Sequence, residues 1–380
     1  MTIEVVTSLA GVRAAEWNAL AGTDPFLRYE FLHALHETGC ASPKSGWAPH
    51  YLLLNERSHL AAAMPLYVKG HSYGEYVFDW SWAEAYHRHG LEYYPKLLSA
   101  IPFTPVTGRR LLGNNVSHRN RLAAAALTLA QELDVSSLHC LFPEPEDAEI
   151  LASTGMMVRT GIQFHWANAG YASFDDFLGG MNHDKRKKIR QERRKVRDEG
   201  ITFEWREGAR IDERDWAFFY KCYTRTYREH YSTPYLNLDF FRTIGRTMPT
   251  NLVLVIAHRA GRPIAASLNV HNGVRLYGRY WGAIEHHPVL HFETCYYQVI
   301  EFCIARGIQL FEGGAQGERT KLARGLLPVE TRSAHWIARR DFADAIESFL
   351  ARETQGIAHH IDELRERQPF KESSAVSREP

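Results

Sequence analysis

Apolar and polar positions along this chain switch repeatedly between a period of two and a period near 3.6, which predicts short strands alternating with helices. In the first half, residues 3–6, 51–54 and 60–68 read as strands, the last two joined by a polar turn. A further strand is expected over 73–79 and another over 137–141. Helices are expected over 14–20, 29–38, near 94–100, and over 121–133, where alanines line one face. In the second half, 164–166 reads as a strand, and 174–178 leads into a basic helix over 184–199 that Gly200 stops. Residues 252–258 and 263–271 make a hairpin, flanked by strands over 201–205, 275–282 and 308–312. Helices over 216–229, 240–248 and 291–305 complete the pattern.

The two halves share a register. Shifting the chain by 204 residues places Ala61, Ala62, Tyr73, Gly74 and Tyr76 on Ala265, Ala266, Tyr277, Gly278 and Tyr280. After one residue of slippage, Tyr93–Tyr94 falls on Tyr296–Tyr297, and Leu97 and Ile101 fall on Ile300 and Ile304. Five identities in this window could arise by chance. The matching order of elements favours duplication. At these aligned positions Arg279 stands against Glu75, a charge reversal that suggests only one copy does chemistry.

Length and composition fit that division. At 380 residues the chain exceeds what one hydrophobic core usually organises, so two domains are expected, 1–154 and 155–367, with a disordered tail over 368–380. A net charge of +1 points globally to neither nucleic acid nor membrane, so any basic site must be local. The N-terminus lacks a secretory pattern and no stretch is long and apolar enough to span a bilayer, which predicts a cytoplasmic protein. The five cysteines are scattered and read as reduced thiols. Paired histidines lack zinc-like spacing, so no metal is expected.

Charge is concentrated in one place. Between Lys185 and Arg197, nine of thirteen residues are Lys or Arg. Helical spacing puts Arg186, Arg190, Arg193, Arg194 and Arg197 on one face, with Ile189 and Val196 on a neighbouring face toward the core. Like charges one turn apart repel, and arginine forks suit phosphate oxygens, so Arg186, Arg190 and Arg194 are the candidate phosphate anchors. A plainly solvated face is the alternative.

Several longer strings carry a family likeness. Residues 71–80 (HSYGEYVFDW), 93–96 (YYPK), 102–108 (PFTPVTG), 279–282 (RYWG), 291–297 (HFETCYY) and 312–318 (EGGAQGE) resemble a bacterial family of Fem-like N-acyltransferases. The likeness runs from about Glu16 to Ile337. It implies an α/β (α+β) fold of two tandem N-acetyltransferase-type (GNAT) domains, with mixed sheets flanked by helices and the active cleft in the second. It further implies amide formation on an amine, as in relatives that pass an amino acid from aminoacyl-tRNA to a peptidoglycan precursor.

The donor and the catalytic groups stay open at this level. The pyrophosphate turn of acyl-CoA users, Arg/Gln-x-x-Gly-x-Gly/Ala, is incomplete at Arg110, Arg197 and Arg279, which weighs toward aminoacyl-tRNA over acyl-CoA. No permanently bound cofactor is expected. The partners are an amine-bearing small molecule or peptide and, as a candidate, tRNA. Glu293, at a helix start, could take a proton from the amine, or could simply complement the helix dipole. Tyr280 and Tyr297 could donate to an oxyanion or could be core. Arg279, Gln316 and Lys321 are candidates for binding substrate or phosphate, as are Lys96 and Asp79 of the first copy. A non-catalytic peptidoglycan- or RNA-recognition protein is the reading from another class.

Overall fold

The computed structural model describes residues 1–314 and 317–371. The chain divides into two compact units, one of Met1–Gly161 with Glu330–His360, the other of Ile162–Val329 with Ile361–Pro380. The expected second domain is thus split. Residues 330–360 join the first unit because the strand Leu327–Ile337 pairs antiparallel with Ser137–Leu141.

In the first unit, strand β1 (Thr2–Val6) leads through helices α1 (Ala14–Ala21) and α2 (Tyr29–Glu37) to a bent hairpin. One arm is β2 (Trp47–Pro49) and β3 (Tyr51–Glu56); the other is β4 (His59–Met64) and β5 (Tyr67–Lys69). The bend falls at Pro65, which lacks the N–H a continuous ladder would need, and His50 N–H bonds Leu66 O across it at 2.8 Å. Helix α3 (Trp80–Arg88), strand β6 (Lys96–Ser99), helix α4 (Val116–Glu132), strand β7 (Ser137–Leu141) and helix α5 (Pro145–Ser153) come next. The alanine face of α4 packs Leu122, Ala123, Ala126 and Ala130 onto Leu52, Leu54, Met64 and Leu138.

The second unit begins on β8 (Met157–Ala167) and continues through α6 (Phe174–Gly179), the basic helix α7 (His183–Asp198) and β9 (Ile201–Glu207). Helices α8 (Glu213–Glu229) and α9 (Leu238–Thr247) precede the meander β10 (Leu252–Arg259), β11 (Arg262–His271) and β12 (Arg275–Ala283). A helical stretch opens with one turn, α10 (Leu290–Phe292), loosens into a π-turn over Glu293–Tyr297 and tightens again as α11 (Gln298–Arg306). Strand β13 (Leu310–Glu312), helix α12 (Glu318–Leu322), strand β14 (Leu327–Ile337) and the long helix α13 (Arg340–Glu366) complete the chain. Helix α8 crosses β12 so closely that a Cβ on Gly282 would lie 2.0 Å from Cys222 O, which is why that position carries no side chain.

Both units use one strand order. The second runs β9-β10-β11-β12-β13-β8, and the first runs β1-β3-β4 continued by β2-β5-β6-β7-β14. These are the mixed sheets flanked by helices, in two similarly ordered halves, that the family resemblance implied. The hairpin registers agree at a shift of 203 residues rather than 204: Leu54 opposite Ala62, with a bulge just beyond, matches Ala257 opposite Ala265, and Glu56 opposite His59 matches Arg259 opposite Arg262.

Beyond the hairpin the repeat fails. Tyr73, Gly74 and Tyr76 lie in a loop rather than a strand, whereas Tyr277, Gly278 and Tyr280 lie on β12. The partner of β5 is β6, and the expected helix near 94–100 is this strand. Its apolar run is short and buried on every side, a pattern that periodicity cannot tell from a buried helix. Glu75 and Arg279 are therefore not structural equivalents. The expected disordered tail is placed as far as Lys371, with Phe370 bridging to Met181 and its ring 6.2 Å from that of Phe177; 372–380 lie outside the described residues.

Candidate functional site

The basic helix α7 is capped by Asn182, whose side chain accepts from Lys185 N–H at 3.1 Å, and is ended by Gly200 at φ +70°. Lys187, Lys188, Arg190, Arg194, Lys195 and Arg197 are exposed, and Arg186 is half-buried. Arg190 reaches Asp175 at 3.1 Å. Arg193 departs from the expected outer face. It turns inward to pair with Glu293 at 3.0 Å and Glu301 at 2.7 Å.

Its neighbour Glu192 is also buried, and accepts from the Tyr297 hydroxyl and from Arg324 at 2.9 Å. Two adjacent residues of α7 thus grip the π-turn. A π-turn widens the helix and rotates the side chains beyond it, a distortion common at functional sites. Glu293 is 3% exposed and also accepts from Gln298 at 2.8 Å. Burial pushes its carboxyl upward, opposed by Arg193. Burial likewise raises Tyr297.

The other candidates gather where β12 leaves β13. These strands pair in parallel only over Arg275–Tyr277 and Leu310–Glu312. The β11–β12 register slips just beyond, with Asn269 opposite Gly278 and Leu268 opposite Tyr280, which makes Arg279 the extra residue of a β-bulge. Bulges re-aim side chains, and they recur beside active sites. The Tyr280 ring packs 5.3 Å from that of Tyr223 on α8 and 6.1 Å from that of Phe241 on α9.

Lys321, on α12, is 1% exposed and donates to Gly314 O just past β13. Burial, reinforced by the Arg279 charge, lowers its amine to about 8. Arg324 lies 3.5 Å over the Phe292 ring. His291 is held down to about 4 by burial and by the charges of Arg324 and Lys321. His165 is lowered to about 3, chiefly by burial, and its Nε2 lies 3.9 Å from Glu312. Lys321 and Arg279 make this corner cationic, Arg324 is paired with Glu192, and the two histidines are neutral near pH 7.

The structure thus brings Arg279 and Lys321 together, ties Tyr297 to Arg324 through Glu192, and places Glu293 toward α7. Gln316 lies outside the described residues. Glu192, Arg324, His165 and His291 were missed by sequence reasoning. Arg324 had a signal, since it lies three positions past Lys321 in the glycine-rich segment 313–324. Among the described residues, no group of three His, Cys, Asp or Glu could hold a metal ion. No helix among them is long and apolar enough to cross a membrane.

Lys96 and Asp79 meet in the first unit. Lys96 is fully buried and bonds Glu75 at 2.8 Å, Ser72 at 2.7 Å and Asp79. Tyr93 donates to Asp79 at 2.7 Å and lies 3.0 Å from His139, which contacts His335 at 2.7 Å. Burial raises Glu75 to about 7 and lowers Lys69 to about 7. Lys96 holds Asp79 below the usual carboxylate range against the opposing effect of burial.

A family model named FemAB-like, described as peptidoglycan biosynthesis/recognition, matches residues 8–372. No curated protein matches the chain. Among solved structures, FemX is similar with a TM-score of 0.56 at 11% identity, over 91% of this chain and 100% of that one. The C-terminal domain of a putative lysylphosphatidylglycerol synthetase from Agrobacterium fabrum gives 0.55 at 9% identity, over 90% and 95%. L-PGS from Bacillus licheniformis gives 0.53 at 11% identity, over 87% and 97%. At these identities the structural likeness concerns the fold.

Proposed function

This chain belongs to the FemAB-like family, and on that premise we propose that it is an aminoacyltransferase that forms an amide on an amine of a cell-wall-type precursor or peptide, with aminoacyl-tRNA as donor. The observation that carries this reading is the cationic corner at the parting of β12 and β13, with Arg279 on the bulge and the Lys321 amine beside the Gly314 carbonyl.

The groups present set the chemistry. The acceptor nitrogen attacks the ester carbonyl carbon, and negative charge develops on the carbonyl oxygen. As that tetrahedral species collapses, the ester C–O bond breaks and an amide remains. The tRNA oxygen leaves carrying the proton given up by the amine. Lys321 is a buried cation with the half-buried Arg279 beside it, and in a desolvated setting stabilisation of a forming oxyanion is strong. The exposed Arg190 and Arg194, with Arg186, face the donor's phosphates. Glu293, paired with Arg193 and Gln298, positions the π-turn rather than taking a proton, and Tyr297 holds Arg324 through Glu192.

The test offers a muropeptide bearing a free amine together with aminoacyl-tRNA or with acetyl-CoA, and tracks product mass. The expected product gains one aminoacyl residue, from aminoacyl-tRNA only, and is lost with Lys321→Met. Transfer from acetyl-CoA alone would replace the donor. Equal transfer by Lys321→Met would move the active site elsewhere.

A further inference from the structure

The first unit spends buried charge to fix a loop whose outer surface is aromatic. Among the described residues, eleven large apolar side chains are exposed, and three of them lie within eight consecutive positions: Tyr73 at 57%, Phe78 at 58% and Trp80 at 42%. Isolated exposed apolar residues are ordinary; a local concentration of them marks a binding surface. The Tyr73 and Trp80 rings meet edge to face at 5.2 Å, and His71 backs Tyr73 at 5.2 Å.

The loop beneath these rings is pinned. Lys69 and Lys96 stand directly opposite each other on β5 and β6, both fully buried. Lys96 bonds Ser72, Glu75 and Asp79 from below, and Lys69 donates to Tyr73 O at 3.4 Å. Gly74 O accepts from Phe103 N–H at 3.2 Å, and Phe78 O accepts from Arg159 at 2.9 Å. Burying ion pairs is costly, and apolar residues would close such a loop with less desolvation. What the charges secure is one geometry for three rings that face water. Rings fixed before a ligand arrives lose little conformational freedom on binding.

We propose that Tyr73, Phe78 and Trp80 form a carbohydrate-binding platform that takes a neutral pyranose ring. Charge selects this occupant. The lysines and carboxylates of the loop are paired with one another beneath the surface, Arg159 is paired with Glu353 at 2.7 Å, and Glu84, one turn beyond Trp80, is paired with Arg88 at 3.8 Å, so the charges beside the rings already have partners. The surface chemistry agrees. All three side chains are flat rings, and two carry a polar edge, the Tyr73 hydroxyl and the Trp80 indole N–H. A pyranose has a C–H face that stacks on such rings and hydroxyls around its rim that bond their edges. The proposal draws on the proposed function only for the choice of saccharide, because a cell-wall acceptor carries N-acetylated sugars.

The tetramer of N-acetylglucosamine is the probe, titrated by calorimetry into the full chain. In parallel, acrylamide quenching reads Trp80, the one tryptophan in the exposed class among the described residues. Saturable binding with protection of tryptophan emission is expected. Trp80→Ala should weaken binding at least about tenfold and Tyr73→Ala about fivefold. Phe349→Ala, another exposed aromatic elsewhere on the chain, should leave it unchanged. Absence of saturable binding would overturn the platform, as would equal affinity in Trp80→Ala. Binding of dodecyl-chain micelles in place of the tetramer, lost in Trp80→Ala, would also overturn it, making the patch an apolar docking surface. Aminoacyl transfer is measured separately, so a platform that fails beside an active transferase is distinguishable from a transferase that fails beside a working platform.

Discussion

The two units share a strand order and differ beyond their central parallel pair. In the second, β12 and β13 pair over three residues and then part, with a bulged arginine on one side and a buried lysine amine on the other. In the first, β6 and β7 pair over Leu97–Ser99 and Leu138–Cys140, and the chain then closes the gap itself. Residues 100–106 are buried without interruption, Gly108 N–H bonds Phe142 O at 3.1 Å, and Glu144 N–H returns to Gly108 O at 3.1 Å. Arg110, fully buried, fills the remainder and donates to the carbonyls of Leu141 at 2.8 Å and Val106 at 2.6 Å. One fold thus supplies an open cationic corner where its strands part and a solid scaffold where they are laced. This contrast supports chemistry in the second unit and presentation in the first.

The largest expected effect tests the scaffold. Lys96→Met leaves Glu75 and Asp79 buried without their cation, and breaking a buried pair this way costs roughly 3–5 kcal/mol. Urea unfolding of the full chain should show a lower midpoint for the transition of the first unit. Unchanged stability would mean the network holds nothing. Next comes the corner itself. Lys321→Met should lower transfer by roughly two to three orders of magnitude while leaving unfolding nearly unmoved. Because the amine titrates near 8, wild-type activity should fall as pH rises through about 8 and the cation is lost. Lys321→Arg should carry activity past that point. A wild-type rate that rises across the same interval would recast Lys321 as a base.

A smaller effect separates the two faces of α7. Arg194→Glu, on the outer face, should weaken tRNA binding by about tenfold and flatten its salt dependence. Arg193→Met should leave binding alone and lower stability, because Glu293 and Glu301 lose their partner. If both variants bind alike, the helix does not discriminate inner from outer arginines in the way its geometry implies.

Much of this contrast was legible in the chain, though unevenly. The hairpins, the basic helix and its glycine stop arise from local periodicity and capping, which sequence carries directly. Lys96 and Asp79 were found by their place in a likeness, but the strand under them was read as a helix, because four buried residues have no exposed face to reveal a period of two. The supposed reversal of Glu75 against Arg279 came from carrying a hairpin alignment, itself one residue out of register, across an unseen insertion, the loop and α3. Arg193 read as one more exposed cation. Only packing against Glu293 and Glu301 distinguishes it from Arg194. The tie of Glu192 to Tyr297 and Arg324 depends on residues more than a hundred positions away, which no local pattern on α7 discloses.

The finest test of the comparison is the pH dependence of the scaffold. Glu75 titrates at about 7 in the fold and near an ordinary carboxylate value of about 4.3 when unfolded. Between these values the folded state binds the extra proton. The stability it contributes is therefore complete below about 4.3 and lost as pH climbs through 7. Lys69 acts in the next window. Its pKa is lowered to about 7 in the fold from about 10.4, so its contribution is complete above about 10.4 and lost as pH falls through 7. Glu75→Gln removes the first dependence and keeps an amide to accept from Lys96. The stability advantage of wild type over this variant should shrink from pH 5 to pH 7 and then level, measured by urea unfolding at each pH. A parallel pair of curves would show that Glu75 carries no proton in this interval. The burial that sets the loop under Tyr73, Phe78 and Trp80 would then rest on a fully ionised cluster, and the first unit would resemble the cationic corner of the second more closely than its laced strands suggest.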